Sequence, residues 1–182
     1  MGSQHQPILE KSGDNLRIDW GYLYLAAPAG SGIREVASTR KETIASFTET
    51  GGVPDSDDLN LMQPYAQPTP VLAYSFDLGS VDSTVVSRYV VLAYDDIFSI
   101  DYFHRHLRPY WRRNGAGASD LLHWALRDYD LLEKRSTDFD RQLMADLTAQ
   151  GGEQYALLCA LAYRQTLAAH KLVADIDGTP LF

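Results

Sequence analysis

Large apolar side chains recur at roughly every second position in Leu16-Arg17-Ile18-Asp19-Trp20-Gly21-Tyr22-Leu23-Tyr24-Leu25, the period of a strand with one buried face. A loop follows over Ala27 to Gly32. From Val36 to Thr50 the composition is helical, with Ser38 as the expected N-cap and Gly51-Gly52 as the stop. The proline-rich, acidic stretch from Val53 to Pro70 has little apolar periodicity and predicts a long loop. Two strands are expected next, Val71 to Leu78 and Thr84 to Ala93, joined as a hairpin through Gly79-Ser80.

The period then changes near Asp95 and Asp96. Ile100, Phe103, Leu107 and Trp111 are three, four and four residues apart, predicting a helix from Ile97 that ends at Asn114-Gly115. A second helix is expected over Ala118 to Arg135, and a third from a Ser136-Thr137-Asp138 cap to about Ala149. The last, Glu153 to Ala174, contains Tyr155-Ala156-Leu157-Leu158-Cys159-Ala160-Leu161-Ala162-Tyr163, apolar on every side and therefore expected to be buried on every side. Asp177-Gly178 turns the chain toward Thr179 to Phe182, an apolar ending that reads as truncated. The expected class is α+β: residues 1–96 rich in strands and loops, residues 97–182 helical.

Composition narrows the function classes. The 182 residues hold 45% hydrophobic and 22% charged residues, which excludes global disorder. A single Cys excludes an internal disulfide framework. No apolar run is long enough for a membrane span, and Met1 to Gln6 lacks the apolar core of a signal peptide. Net charge is −8, and only residues 97–135 lean basic, with 7 basic against 5 acidic side chains. Arg105, Arg108, Arg112 and Arg113 among Tyr102, Tyr110 and Trp111 are too few for a polyanion face, so no nucleic-acid partner is expected.

Candidate chemistry lies in three places. Asp95 and Asp96 are adjacent carboxylates at a strand end, where split environments would let one act as acid and the other as base; capping of a following helix is the plainer reading. Arg164, Gln165, His170 and Lys171 interrupt the apolar C-terminal segment. Arg164 would clamp a carboxylate, Gln165 read an amide and His170 shuttle protons, or the set would form a structural network. Trp20, Tyr22 and Tyr24 share one strand face, opposite Asp19, suited to a ligand or to packing. Other signals are poor. His104 and His106 would diverge on a helix, Cys159 sits in apolar surroundings, and Gly30-Ser31-Gly32 lacks the rest of a phosphate or dinucleotide loop. No metal site and no cofactor are expected.

Asp19-Trp20-Gly21-Tyr22-Leu23-Tyr24, Phe76-Asp77-Leu78-Gly79, Leu92-Ala93-Tyr94-Asp95-Asp96-Ile97, Leu107-Arg108-Pro109-Tyr110-Trp111, Gly151-Gly152-Glu153-Gln154-Tyr155-Ala156, Ala162-Tyr163-Arg164-Gln165 and Ala168-Ala169-His170-Lys171-Leu172-Val173 occur in order. Together they resemble bacterial and fungal glutaminase A-like proteins over about Asn15 to Phe182. The resemblance implies a β-sandwich followed by a toroid of six helical hairpins, of which this chain would hold the end of the first and the start of the second. It implies a secreted or periplasmic hydrolase that converts the side-chain amide of L-glutamine to glutamate and ammonia. Its partner would be an amino-acid amide or the rest of the same polypeptide. The alternatives are a non-catalytic binding module and a carbohydrate-active hydrolase on the same fold. Asp96 with Asp95 is the expected catalytic pair; Arg164, Gln165, His170, Trp20 and Tyr22 are the expected substrate contacts.

Overall fold

Thr39 ends a strand and starts a helix, because its hydroxyl accepts the Glu42 N–H at 3.2 Å while Glu42 Oε2 accepts from the hydroxyls of Ser38 and Thr39. A computed structural model describes residues 1–2, 4–10, 20–60 and 69–182. The expected Ser38 cap is thus displaced by one residue, and the segment before it is extended. The helix α1 (Arg40–Thr50) ends at Gly51, whose φ of 73° lets its N–H reach back to the Phe47 carbonyl.

Two units are distinguished, residues 25–92 with Met1, and residues 2–24 with 93–182. In the first, β2 (Ile33–Thr39) pairs antiparallel with β3 (Pro70–Phe76) from Ile33 opposite Phe76 to Thr39 opposite Pro70. Among its described residues, Val36 and Val53 are the buried apolar ones. The hairpin expected between Val71–Leu78 and Thr84–Ala93 does not form, since β3 takes β2 as its partner. Residues 84–90 are not a strand: Val85 is 91% exposed, and turns at Asp77 and Asp82 occupy the connection. The middle of the expected 53–70 loop, residues 61–68, lies outside the described residues, as do Leu16 to Asp19 of the first expected strand.

Glu35 Oε2 accepts the Tyr74 hydroxyl at 2.6 Å on this sheet. Burial, and then the Glu35 hydrogen bond and charge, push the Tyr74 phenol up to about 12. The protonated phenol is the favoured form in the fold, so its stabilising contribution is complete below about pH 10 and is lost as pH rises toward 12. Absorbance titration at 295 nm of the chain and of its Tyr74→Phe variant is expected to differ by one tyrosine ionising near 12; a difference centred near 10 would refute the assignment.

β1 (Tyr22–Ala26) pairs with β4 (Val91–Asp95). Residues 97–114 overturn the expected first helix. They form the hairpin β5 (Ile100–Tyr102) and β6 (Arg105–Pro109), then a single tight turn at Tyr110–Arg112. Pro109 would have lacked a donor in a helix interior and forced Arg108 into extended backbone. The pattern also fits a strand, because Leu107 and Pro109 are buried while His106 and Arg108 face out. Phe103 and His104, at φ of 48° and 63°, make the turn. The angular argument separating His104 from His106 therefore lapses; His104 is on the turn and His106 packs on Phe98.

β6 pairs with β7 (Val173–Ala174), which pairs with β8 (Pro180–Leu181). The helices are α2 (Ala118–Arg127) and α3 (Tyr129–Ala169). The expected second helix breaks at Asp128 and the expected cap at Ser136 is absent, because α3 runs through it. Gly152, at φ 80° and ψ 178°, interrupts α3 where Gly151-Gly152 was expected to stop it. Its last part ends at Ala169, so 173–174 is strand. The apolar segment is not buried all round: Leu157, Leu158 and Leu161 are 51–66% exposed, and Ala156 alone of α3 is buried. An all-apolar helix needs a covering layer, and none of the described residues supplies one. The architecture is α+β, small antiparallel sheets with helices.

Candidate functional site

Gly21 brings the residues at the end of β4 against the start of β1. It has φ 110°, and a Cβ there would lie 2.5 Å from the Asp95 carbonyl oxygen. The Tyr94 hydroxyl donates to the Trp20 carbonyl, and the Trp20 indole N–H donates to the Asp96 carbonyl at 2.8 Å. Trp20 is 4% exposed. Its indole is thus a clamp across the aspartate pair.

Asp95 and Asp96 are both buried, at 1% and 5% exposure. Strand alternation would have put them on opposite faces, but the chain turns here: Phe98 N–H reaches the Asp96 carbonyl at 2.6 Å around Ile97, whose φ is 63°. A β-branched residue in that region costs roughly 1–3 kcal/mol, so the surrounding contacts must impose it. Asp95 Oδ1 accepts the Ile97 N–H at 3.0 Å, and both Asp95 oxygens are bridged by Arg112, Nε to Oδ1 at 3.2 Å and a terminal nitrogen to Oδ2. Asp96 Oδ1 accepts the Ser99 hydroxyl at 2.9 Å, and Oδ2 accepts Lys171 Nζ at 3.2 Å. No helix starts at Ile97 for either to cap.

The two carboxylates have different reach. Arg112 is four-fifths buried with Asp95, a forked pair sealed in the fold, whereas the Lys171 side chain is 48% exposed. The Asp96–Lys171 pair therefore has one edge in water, through which a solute could exchange with the ammonium. Burial first, and then the Asp95 charge, raise the Tyr24 phenol above its usual value, with Arg112 opposing. Tyr22 and Tyr24 lie 6.4 Å apart, ring to ring.

Arg164 is elsewhere. It lines a groove of about 780 Å³ between the two parts of α3, with Leu132, Phe139, Asp140 and Tyr163, and Phe139 packs on Tyr163 at 5.8 Å. None of Trp20, Asp95, Asp96 or Lys171 lines that groove. Gln165 is exposed on α3. His170 follows its end, bonds the Thr166 carbonyl through Nδ1 at 2.6 Å and stacks on Phe182 at 5.0 Å. The structure thus joins Trp20, Asp95 and Asp96 in one cluster with Arg112 and Lys171, and places Arg164 apart. Asp19 lies outside the described residues. Among the described residues no group of three or more His, Cys, Asp or Glu is arranged to hold a metal ion, and no helix is long and apolar enough to cross a membrane.

Sequence reasoning missed Arg112 as the partner of Asp95. The available signal was Arg105, Arg108, Arg112 and Arg113 interleaved with aromatics, read there only as a weak polyanion face. Each guanidinium instead stacks on a ring of this chain, over Tyr102, Phe98, Trp111 and Tyr110 respectively, at 3.9–5.6 Å.

Comparison with known proteins gives two matches. Residues 1–146 match the family model described as Domain of unknown function (DUF5127). Glutaminase A of Aspergillus oryzae (strain ATCC 42149 / RIB 40) is 27% identical over 170 residues, which cover 90% of this chain and 24% of that relative. The chain spans about a quarter of the length of the curated relative it matches. No solved structure matches it. The glutaminase A-like resemblance read from the sequence motifs is borne out by these matches.

Proposed function

The chain belongs to the family Domain of unknown function (DUF5127), and we propose that it forms part of a glutaminase A-like hydrolase that cleaves the side-chain amide of L-glutamine to glutamate and ammonia. The observation that carries this reading is the 27% identity to Glutaminase A along 90% of the chain. In this reading residues 1–96 close a β-sandwich and residues 97–182 open a toroid of helical hairpins, whose helical part begins at Ala118. The protein would work outside the cytoplasm, secreted or periplasmic. Exposed apolar side chains on α3 support a covering layer from the rest of a longer polypeptide.

Asp96 is a buried carboxylate paired with the half-exposed Lys171, and in this reading it serves as general base for the attacking water, with the Lys171 ammonium beside it. Asp95 and Trp20 hold the turn that carries it, and Tyr22 follows Trp20 at the start of β1. Arg164, with Gln165 and His170 on or just after the same helix, would meet the amino-acid end of a substrate only where further polypeptide closes the cleft.

The test is ammonia release from L-glutamine, with sugar release from aryl glycosides as the control. The 182-residue chain alone is expected to turn glutamine over far more slowly than a polypeptide of Glutaminase A length that contains it. In the longer polypeptide Asp96→Asn is expected to lower kcat by at least ~100-fold with little change in melting temperature. Glycoside cleavage without ammonia release would replace the amidase reading. Early melting with normal turnover at low temperature would assign Asp96 to structure.

A further inference from the structure

A second pocket, lined by neither aspartate and independent of the amidase reading, opens between the turn after β6 and the start of α2. Its volume is about 510 Å³, and Trp111, Trp124, Arg113, Asn114 and Asp120 line it. That size is within the range of small-ligand sites. We propose that it binds a neutral sugar, one or two rings of a glycan, as a recognition site outside the reacting centre.

The residue chemistry is the reason. Two indoles offer flat apolar faces, to which the C–H face of a pyranose is complementary. Asn114 supplies both donor and acceptor, Arg113 donors and Asp120 an acceptor, which is the inventory that neighbouring hydroxyls require. A shallow pocket of mixed lining suits a neutral polar ring better than a purely apolar molecule, whose burial would strand the three polar side chains.

Three of the lining groups, Asp120, Arg113 and Trp111, are also held before any ligand arrives. Asp120, on the pocket wall, accepts the Gly117 N–H through Oδ2 at 2.8 Å. Arg113 donates to the Tyr110 carbonyl at 2.9 Å and lies 3.9 Å over the Tyr110 ring. Trp111 is packed by Arg112 at 4.6 Å, and Arg112 is locked in turn to the buried Asp95. Trp124 stands on α2 at 39% exposure. Preorganisation of this kind reduces the ordering cost of binding. A free amino acid is the competing occupant, with its carboxylate on Arg113 and its ammonium on Asp120; the open, two-indole lining favours the sugar.

The experiment titrates the full chain with methyl β-D-glucoside, cellobiose, N,N′-diacetylchitobiose, maltose and, separately, L-glutamine. It reads tryptophan fluorescence and calorimetric heat at millimolar ligand. At least one of the sugars is expected to bind saturably, with Trp124→Ala and Asn114→Ala each weakening it roughly tenfold or more. Asn114 is exposed in a turn, so its variant tests the site even if Trp124→Ala melts early. The proposal is overturned if no sugar in the panel saturates, if the Asn114→Ala chain binds as the parent does, or if L-glutamine alone occupies the pocket.

Discussion

Arg112→Met is expected to destabilise the unit that holds Asp95 by about 3–5 kcal/mol, because the substitution leaves a buried carboxylate without its cation. The pair is unusual in this chain. Asp95 is 1% exposed, both of its oxygens face the guanidinium, and Arg112 also packs on Trp111. The exposed pairs, such as Lys134 with Asp138, are worth far less because water screens them. Replacing both partners together, as Arg112→Met with Asp95→Leu, is expected to recover much of the loss, since removing the charge removes the desolvation cost. Thermal and urea unfolding followed by tryptophan fluorescence would read both variants. If Arg112→Met melts with the parent, the ion pair is not what holds the turn after β4.

Trp20→Ala is expected to cost about 3–5 kcal/mol, the range for truncating a buried large aromatic. Trp20→Phe separates the two parts of that loss. It keeps most of the apolar surface but removes the indole N–H that meets the Asp96 carbonyl at 2.8 Å, with an expected cost of about 1–3 kcal/mol for the orphaned acceptor. The Ile97 turn is in strained backbone next to that carbonyl, so amide exchange at Ile97 and Phe98 should accelerate in Trp20→Phe. Unchanged exchange there would mean that Arg112 and Ser99 hold the turn without the indole.

Much of the local structure was legible in the residues. The helix stop at Gly51 and the break at Gly151-Gly152 follow from backbone freedom that glycine alone has at those angles. The strand at Val71 follows from its composition. The error at residues 97–114 has a specific cause. Ile100, Phe103, Leu107 and Trp111 fit a helical stripe, yet Ile100 and Leu107 face each other across a hairpin at a seven-residue separation that satisfies both patterns. Pro109 was the residue that could have decided between them.

Strand partners were not legible in the same way, because pairing is a choice among distant segments. β3 was expected to pair with the segment after it and pairs with the one before α1 instead. The aspartates were found in the sequence, but their roles were not: Arg112 is 17 residues from Asp95 and Lys171 is 75 from Asp96. The sequence by itself determined the stop of α1 at Gly51 and the break of α3 at Gly152, since a glycine's backbone freedom acts over a few residues. Only the tertiary structure decided which cation meets which aspartate, which indoles share a pocket and which apolar helix stays uncovered, because those depend on loop closure and packing between segments far apart in the chain.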